Sequence, residues 1–377
     1  MWKAVELKDI TYNLDNRRVP LNSSQRGEKE SEQLYPYIGA NNIMGYIDEF
    51  IFDEKILCVA EDGGSWGKGQ RCAVIYNEKV WVNNHAHVLT AKDNLILEYL
   101  MYYLNYEDLN LYINGATRGK LTKSSLNSIL IPLPPLEQQK KIAAILDAAD
   151  ELRQKDKALI AKYDELTQAL FLDMFGDPFD KNNLGNKVYF ETLTNRITYG
   201  FTKPMQHLEV GIPILTAKNI QNGFIDFERI HYADLKEFNE LTGKSKPEKH
   251  DILITKDGSI GRTALFDVSF PVCINQSVAL VKPNLKIVNP NYLVAYLISN
   301  TVQRKIEKMG KGGGLKHLQI TELAKFPTIL PSMELQNQFA ERVKVIEEQK
   351  SIAQASAVKS EELFNSLLQK AFNGELV

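Results

Sequence analysis

Leu133-Pro134-Pro135-Leu136-Glu137-Gln138-Gln139 and Leu330-Pro331-Ser332-Met333-Glu334-Leu335-Gln336 are two versions of one heptapeptide, set 197 residues apart (133 against 330) in a chain of 377. The offset holds without a gap from Asn94/Asn291 to Phe175/Phe372. Along the way it aligns Tyr99/Tyr296, Leu121/Leu318, Glu151/Glu348, Lys162/Lys359, Glu165/Glu362, Leu166/Leu363 and Leu170/Leu367. Upstream it survives as islands at changing offsets: Asn84 with Asn275, Asp62-Gly63 with Asp257-Gly258, Asn42-Ile43 with Asn219-Ile220. Changing offsets mean insertions and deletions, which concentrate in surface loops. A gapless self-match of more than 80 positions (94 to 175) marks a tandem duplication.

The heptapeptide opens a long helix in each copy. In the first, Ile142, Ile145, Ala149, Leu152, Asp156, Leu159, Tyr163, Leu166 and Leu170 recur at alternating spacings of three and four, a heptad seam with one charged member. Pro134-Pro135 opens the segment, where missing amide donors cost nothing, and Gly176-Asp177-Pro178 stops it. In the second copy Phe339, Val343, Ile346, Ala353, Ala357, Phe364 and Leu367 form a weaker seam, with Ser332 as N-cap. Two such rods, each with an apolar stripe, are expected to pair antiparallel about a pseudo-two-fold axis.

The portions before the rods read as β-rich mixed modules. Strands are predicted at 55–60, 72–76, 251–255 and 278–281, punctuated by Asp62-Gly63-Gly64 and Asp257-Gly258, with one helix after them in each half, around 95–104 and 292–308. The expected fold is thus α+β: β-rich mixed modules at 1–132 and 179–329, each followed by a long helix, at 133–178 and 330–377. Cys58, Cys72 and Cys273 are odd in number and far apart, and read as buried reduced thiols. The charged N-terminus lacks a signal peptide's apolar run, and no stretch of about 18 apolar residues occurs, so a cytoplasmic, non-membrane protein is expected.

Catalytic patterns fail on inspection. Asn289-Pro290-Asn291-Tyr292 approaches the Asn-Pro-Pro-Tyr loop of amino-methyltransferases, but Asn291 stands where the second proline belongs. Gly115-Ala116-Thr117-Arg118-Gly119-Lys120-Leu121 is one residue short of a P-loop and ends in Leu121 where Ser or Thr is needed. His85 and His87 share a strand face, but their counterparts at the island offset are Gln276 and Val278 and no third ligand is evident. No metal or catalytic centre is expected.

Binding remains. The net charge of −2 averages unlike segments: −3 for 1–132, −3 for 133–177, +6 for 178–329 and −2 for 330–377. Glycines beside Arg118, Lys120 and Lys123, and beside Lys311, Lys316 and His317, suit phosphate contact, because the backbone can approach while the cation neutralises. After the Asp-Gly turns, Trp66, Lys68, Gln70 and Arg71 in one half, and Ser259 and Arg262 in the other, are candidates for base-edge or stacking contacts.

The chain resembles the specificity (S) subunit of type I restriction–modification systems over nearly its whole length. Ile131-Pro132-Leu133-Pro134-Pro135-Leu136-Glu137-Gln138-Gln139 looks like the opening of that family's central conserved helix, and Met174-Phe175-Gly176-Asp177-Pro178 looks like its end. In the second copy Leu335 replaces the first glutamine of the pair. The resemblance implies that each module reads one half of a bipartite double-stranded DNA target and that the helices act as a ruler between half-sites. It implies a host-defence assembly with two methyltransferase (M) subunits and with restriction (R) subunits, with S-adenosylmethionine, ATP and Mg on those partners and no cofactor or catalysis in this chain. The alternatives are a stand-alone adenine DNA methyltransferase and a non-DNA coiled-coil adaptor.

Overall fold

A computed structural model describes residues 2–32, 34–115, 118–180, 183, 185–310 and 316–376. It divides into two units, Met1–Lys157 with Ala355–Val377, and Ala158–Gln354. Each unit holds one β-rich module, part of the central helix (Leu136–Phe175) and part of the C-terminal helix (Met333–Asn373).

Unit 1 has β1 (Ala4–Glu6), β2 (Thr11–Asn13), β3 (Tyr35–Ile38), β4 (Ile43–Ile47), β5 (Ile56–Ala60), β6 (Ala73–Tyr76), β7 (Trp81–Val82), β8 (Ala86–Ala91) and β9 (Leu130–Pro132). They form sheets of order β2-β8-β5-β6 and β4-β3-β7, and the pair β1-β9. The unbroken apolar run of β5 reflects burial on both faces. Leu57 and Val59 face the core beneath the helix Leu97–Tyr106, while Ile56 and Cys58 face a second cluster with Ile38, Phe52 and Val88.

Unit 2 repeats the plan with β10 (Lys187–Tyr189), β11 (Thr194–Tyr199), β12 (Ile212–Leu215), β13 (His231–Ala233), β14 (Ile252–Thr255), β15 (Thr263–Leu265), β16 (Cys273–Ile274), β17 (Val278–Pro283) and β18 (Pro327–Ile329). The orders are β11-β17-β14-β15, β13-β12-β16 and β10-β18. The correspondence extends to direction: β3 and β7 are parallel, as are β12 and β16. Hydrogen bonds fix the register that sequence islands left one residue out. Asn83 N–H donates to the Ile38 carbonyl, as Asn275 N–H does to Leu215, and each asparagine side chain accepts the amide two residues on. Asn83, not Asn84, is therefore the counterpart of Asn275, and His85 and His87 match Ser277 and Ala279.

The helix expected around 292–308 is two, Pro290–Ile298 and Asn300–Met309, because Ser299 between them is extended (φ −60°, ψ 141°). Asn289 caps the first, its side chain accepting from Asn291 N–H at 3.0 Å with Pro290 in the first turn, and Tyr292 is buried with its hydroxyl on the Ile329 carbonyl. The near-methyltransferase tetrapeptide is a helix start.

The second glutamine of each heptapeptide clamps helix to module. Gln139 is fully buried; its amide donates to the carbonyls of Pro134 (2.8 Å) and Asn94 (3.0 Å) and accepts from Ile96 N–H (2.9 Å). Gln336 does the same with Pro331 (2.9 Å), Ile287 (3.2 Å) and Asn289 N–H (2.8 Å). A buried amide with every bond satisfied stabilises and orients, whereas leaving one unmade costs about 1–3 kcal/mol.

Within each unit the helices run antiparallel. In unit 1 Asp156 meets Ser356 and Arg153 meets Glu361; in unit 2 Asp164 meets Lys350 and Phe171 meets Phe339. The seam differs from the expected one on one of its two lines. Ile142 and Ala149 are buried as expected, and Tyr163 and Leu170 half-buried, but Leu152, Leu159 and Leu166 are 44, 41 and 48 % exposed and Ile145 is only half-buried. The second line runs four residues on instead of three, through Leu146, Arg153 and Thr167. Arg153 belongs there because its guanidinium lies 4.1 Å from the Phe364 ring while donating to Glu361 and Asp150. In the C-terminal helix Phe339, Ile346 and Ala353 are buried, and Val343 and Leu367 pack half-buried on the cores of units 2 and 1.

All three cysteines are free and buried. Burial pushes the thiols of Cys72 and Cys273 up to about 12, which leaves them unreactive near neutral pH. No helix among the described residues is long and apolar enough to cross a membrane.

Candidate nucleic-acid interface

Two loops distant in sequence are stitched together in each unit. In unit 1 the Asp62-Gly63 turn after β5 meets the Gly115–Leu121 loop: Leu121 N–H donates to the Glu61 carbonyl at 2.7 Å, and Asn114 and Lys120 exchange backbone bonds of 2.9 and 2.8 Å. In unit 2 Leu318 N–H donates to the Lys256 carbonyl at 2.8 Å and Gly258 N–H to Lys316 at 3.0 Å. Gly63 and Gly258 hold φ of +64° and +76°, where a side chain is strained. The Asp-Gly turn and the end of the basic glycine stretch therefore form one rim in each half, while Arg71, further along in unit 1, lines a groove with Tyr102, Arg153 and Glu361.

On that rim Arg118 pairs with Asp62 at 3.2 Å and Lys120 with Glu61 at 3.0 Å, their side chains 66 and 49 % exposed. Lys123 is exposed at the start of the short helix Lys123–Asn127. In unit 2 Lys316 and His317 are exposed, with His317 Nδ1 on the Asp257 carboxylate. Ser259 is exposed on the turn, and Arg262 is half-buried with its amide on Thr255 Oγ1. Lys311 lies outside the described residues.

Trp66 is a correction to the expected stacking face. It is 6 % exposed, belongs to the unit 1 core and donates from Nε1 to the Ala60 carbonyl at 3.2 Å. The loop rests on it so closely that a Cβ at Gly119 would sit 3.1 Å from its ring. Its neighbours stay on the surface: Lys68 Nζ lies 5.2 Å from the Tyr106 ring, Gln70 accepts from Gly67 N–H at 2.8 Å, and Arg71 is exposed.

Under the unit 1 rim lies a charged network that the sequence reading missed. His87, 1 % exposed, contacts Asp15 through Nδ1 at 2.6 Å and the Leu121 carbonyl through Nε2 at 2.8 Å. Arg18 bridges Glu61 (2.6 Å) and the Ala86 carbonyl (2.7 Å). Burial opposes ionisation of Asp15, but the bond and charge of His87, with the Val88 amide and Asn13, outweigh it and hold the carboxyl below its usual range. Burial likewise opposes Glu61, and bonds from Arg18 and Lys120 overcome it. Asp15 and Arg18 stand more than 40 residues from Glu61 and His87 in an unmatched segment, so no local pattern marks them.

Both carboxyls ionise more easily folded than unfolded. Their contribution to stability is complete above the ordinary carboxylate range, about pH 4, and is lost as pH falls through the depressed folded values. Unit 1 should therefore lose stability on acidification below about pH 4, and Asp15→Asn should flatten that part of the profile. Thermal unfolding between pH 7 and 3 measures it; an unchanged profile in Asp15→Asn would remove the network from the acid response.

Among the described residues no group of three or more His, Cys, Asp or Glu side chains could hold a metal. What the surfaces offer is exposed cations on glycine loops, beside polar side chains, built twice on one plan.

The family described as the type I restriction modification DNA specificity domain matches residues 1–162 and again 196–357. A Haemophilus influenzae protein named among type I restriction enzyme specificity subunits is 28 % identical over 355 residues, 89 % of this chain and 84 % of that protein. The crystal structure of a type I S subunit from M. genitalium superposes with a TM-score of 0.63 at 17 % identity, covering 98 % of this chain and 96 % of that one. A second structure, solved for complex assembly and conformational transition of the type I restriction–modification system, superposes at 0.54 and 16 % identity, covering 100 and 98 %.

Proposed function

The chain belongs to the type I restriction–modification DNA specificity family and is a specificity subunit; from this premise we propose that the module of residues 1–132 reads one half of a bipartite duplex target and that of 179–329 the other. The observation that carries the reading is the Asp-Gly turn bonded to the end of the basic glycine stretch, at Gly119 and Leu121 in one unit and at Lys316 and Leu318 in the other. Arg118, Lys120, Lys123, Lys316 and His317 then serve phosphate contact, and Ser259 and Arg262 on the unit 2 turn are its base-edge candidates, with Lys68 and Gln70 those of unit 1; Arg71 is set apart from them, lining a groove with Tyr102, Arg153 and Glu361.

The chain's part is binding, and chemistry falls to its partners. Two methyltransferase subunits would carry S-adenosylmethionine, restriction subunits ATP and Mg, and the paired helices would set the distance between half-sites. The heptad-spaced Leu152, Leu159 and Leu166 are the apolar surface that helical partners would cover.

Reconstitution with the methyltransferase subunits, followed by sequencing of methylated adenines, tests the reading. The expected target is two short specified sequences separated by an unspecified spacer. A single uninterrupted target, or adenine methylation by this chain alone, would refute it.

A further inference from the structure

The duplication makes each unit a control for the other. Where the backbone frame is shared and the side chain changes, the change reports what each unit is for. Three positions on the rim of unit 2 differ from their counterparts, Gln319 from Thr122 and Lys256 from Glu61 in chemistry and Gln276 from Asn84 by one methylene, and they line one cleft of about 380 Å³ together with Thr202, His317 and Thr321.

The first is Gln319, whose counterpart at the 197-residue offset is Thr122. Thr122 caps its short helix, its hydroxyl accepting from Ser125 N–H at 3.2 Å. Gln319 occupies the same N-cap before Ile320–Ala324, yet its side chain makes no capping bond. Thr, Ser, Asp and Asn are the residues that cap, and glutamine is not among them. Unit 2 has forgone a cap to place an exposed amide at the cleft.

The second is Gln276, exposed between two residues held firmly in place. Asn275 Oδ1 accepts from Ser277 N–H at 3.1 Å and from its hydroxyl at 2.6 Å, Ser277 Oγ accepts from Ala217 N–H at 2.9 Å, and Asn275 N–H donates to Leu215. The backbone is rigid while the amide has no hydrogen-bond partner among the described residues. The third is Lys256, in the place of Glu61. It is 8 % exposed, with Nζ 5.3 Å from the Tyr199 ring and 3.5 Å from Asp257, so a nearly buried cation underlies the cleft.

We propose that Gln276 and Gln319 are base-reading residues of unit 2. Each amide presents a donor beside an acceptor, the pattern that matches the N6 and N7 edge of adenine in the major groove. The cation beneath draws the electronegative edge inward, and Lys316 on the rim holds the neighbouring phosphate. In unit 1 Glu61 stands in the place of Lys256 and is bonded by both Arg18 and Lys120, so the charge under the rim differs between the two units.

The proposal rests on the specificity-subunit reading, and the experiment separates the two. The complex reconstituted with its methyltransferase subunits is made with Gln276→Ala, Gln319→Ala or Lys316→Ala, and its affinities are measured for the cognate duplex, for every single-base variant of it and for a random duplex. Each glutamine variant should lose about tenfold or more of its discrimination at one base pair of one half-site. The other half-site, random-duplex affinity and melting temperature should not move, whereas Lys316→Ala should weaken all duplexes alike. Unaltered preferences in both glutamine variants, or a uniform loss like that of Lys316→Ala, would overturn the proposal while leaving the family reading intact. A wild-type complex with no bipartite preference would overturn both.

Discussion

Phe171→Ala is expected to destabilise unit 2 by about 3–5 kcal/mol and to leave unit 1 nearly untouched. Phe171 lies in the helix that follows the first module, so its sequence position suggests the opposite. Yet it is 1 % exposed, with ring centroids 5.1 Å from Phe175, 5.9 Å from Phe339, 6.1 Å from Tyr292 and 6.2 Å from Tyr296. All four belong to unit 2. Removing the ring opens a cavity among aromatics that are themselves packed edge to face and cannot collapse into it. For a unit of this size the loss amounts to roughly 10 °C in melting temperature. Hydrogen exchange read by mass spectrometry separates the units: protection of β14 and β17 should fall, and that of β5 and β8 should hold. Equal losses in both would mean that the aromatic cluster supports the whole chain, not one unit.

That cluster shows where sequence reading stops. The heptapeptide and the 197-residue offset were enough for the duplication, the long helices and the central strands, because each depends on local pattern. The interface between the helices depends on a choice that the pattern leaves open. Ile142, Ala149, Asp156, Tyr163 and Leu170 belong to two possible seams, one completed by leucines at 145-type positions and one by Leu146, Arg153 and Thr167. Hydrophobicity favours the leucines. The folded chain takes the other because Arg153 lays its guanidinium on Phe364 and bonds Glu361, a gain invisible without the partner helix. Leu152, Leu159 and Leu166 are left outside.

The rim shows the same limit, because its turn and its loop lie far apart in sequence and only the fold joins them. The Asp62-Gly63 turn and the basic residues at 118–123, more than 50 residues on, looked like separate sites, and backbone pairing of Asp62 with Lys120 joins them. Trp66 illustrates the opposite error. An aromatic among Gly, Lys, Gln and Arg suggests base stacking, but the glycines around it are there so that the loop can close over its ring. The information that would have found Lys256 was present in the aligned Asp-Gly islands, since a residue one place before each turn changes from Glu61 to Lys256.

Exchange of residues 1–132 for the corresponding module of another specificity subunit should replace one half of the methylated sequence completely and leave the other half unchanged. The cut after Pro132 is favourable because β1 and β9 pair with each other inside the exchanged segment, Ala4 opposite Pro132. Tyr99 and Tyr103 also donate to carbonyls within it, those of Pro132 and Leu130. What crosses the cut is the packing of Ile142, Leu146, Ala149, Phe364, Leu368 and Ala371 on the module core, with a few specific bonds and ring contacts. Gln139 reaches back to Asn94 and Ile96, Tyr102 donates to Asp147 at 2.7 Å, and Phe372 sits among Tyr99, Tyr103 and Tyr106 at 5.7, 5.3 and 5.2 Å. An incoming module that keeps these tyrosines and the apolar residues packed on both long helices keeps the core, including the residues that Ala355–Val377 contribute to unit 1. Its turn and glycine loop, with whatever side chains they carry, then replace the reading surface outright. Sequencing of methylated adenines in the reconstituted chimaera measures the outcome. Change in both halves would mean that the units do not read independently, and change in neither would move recognition out of the module and into the helices.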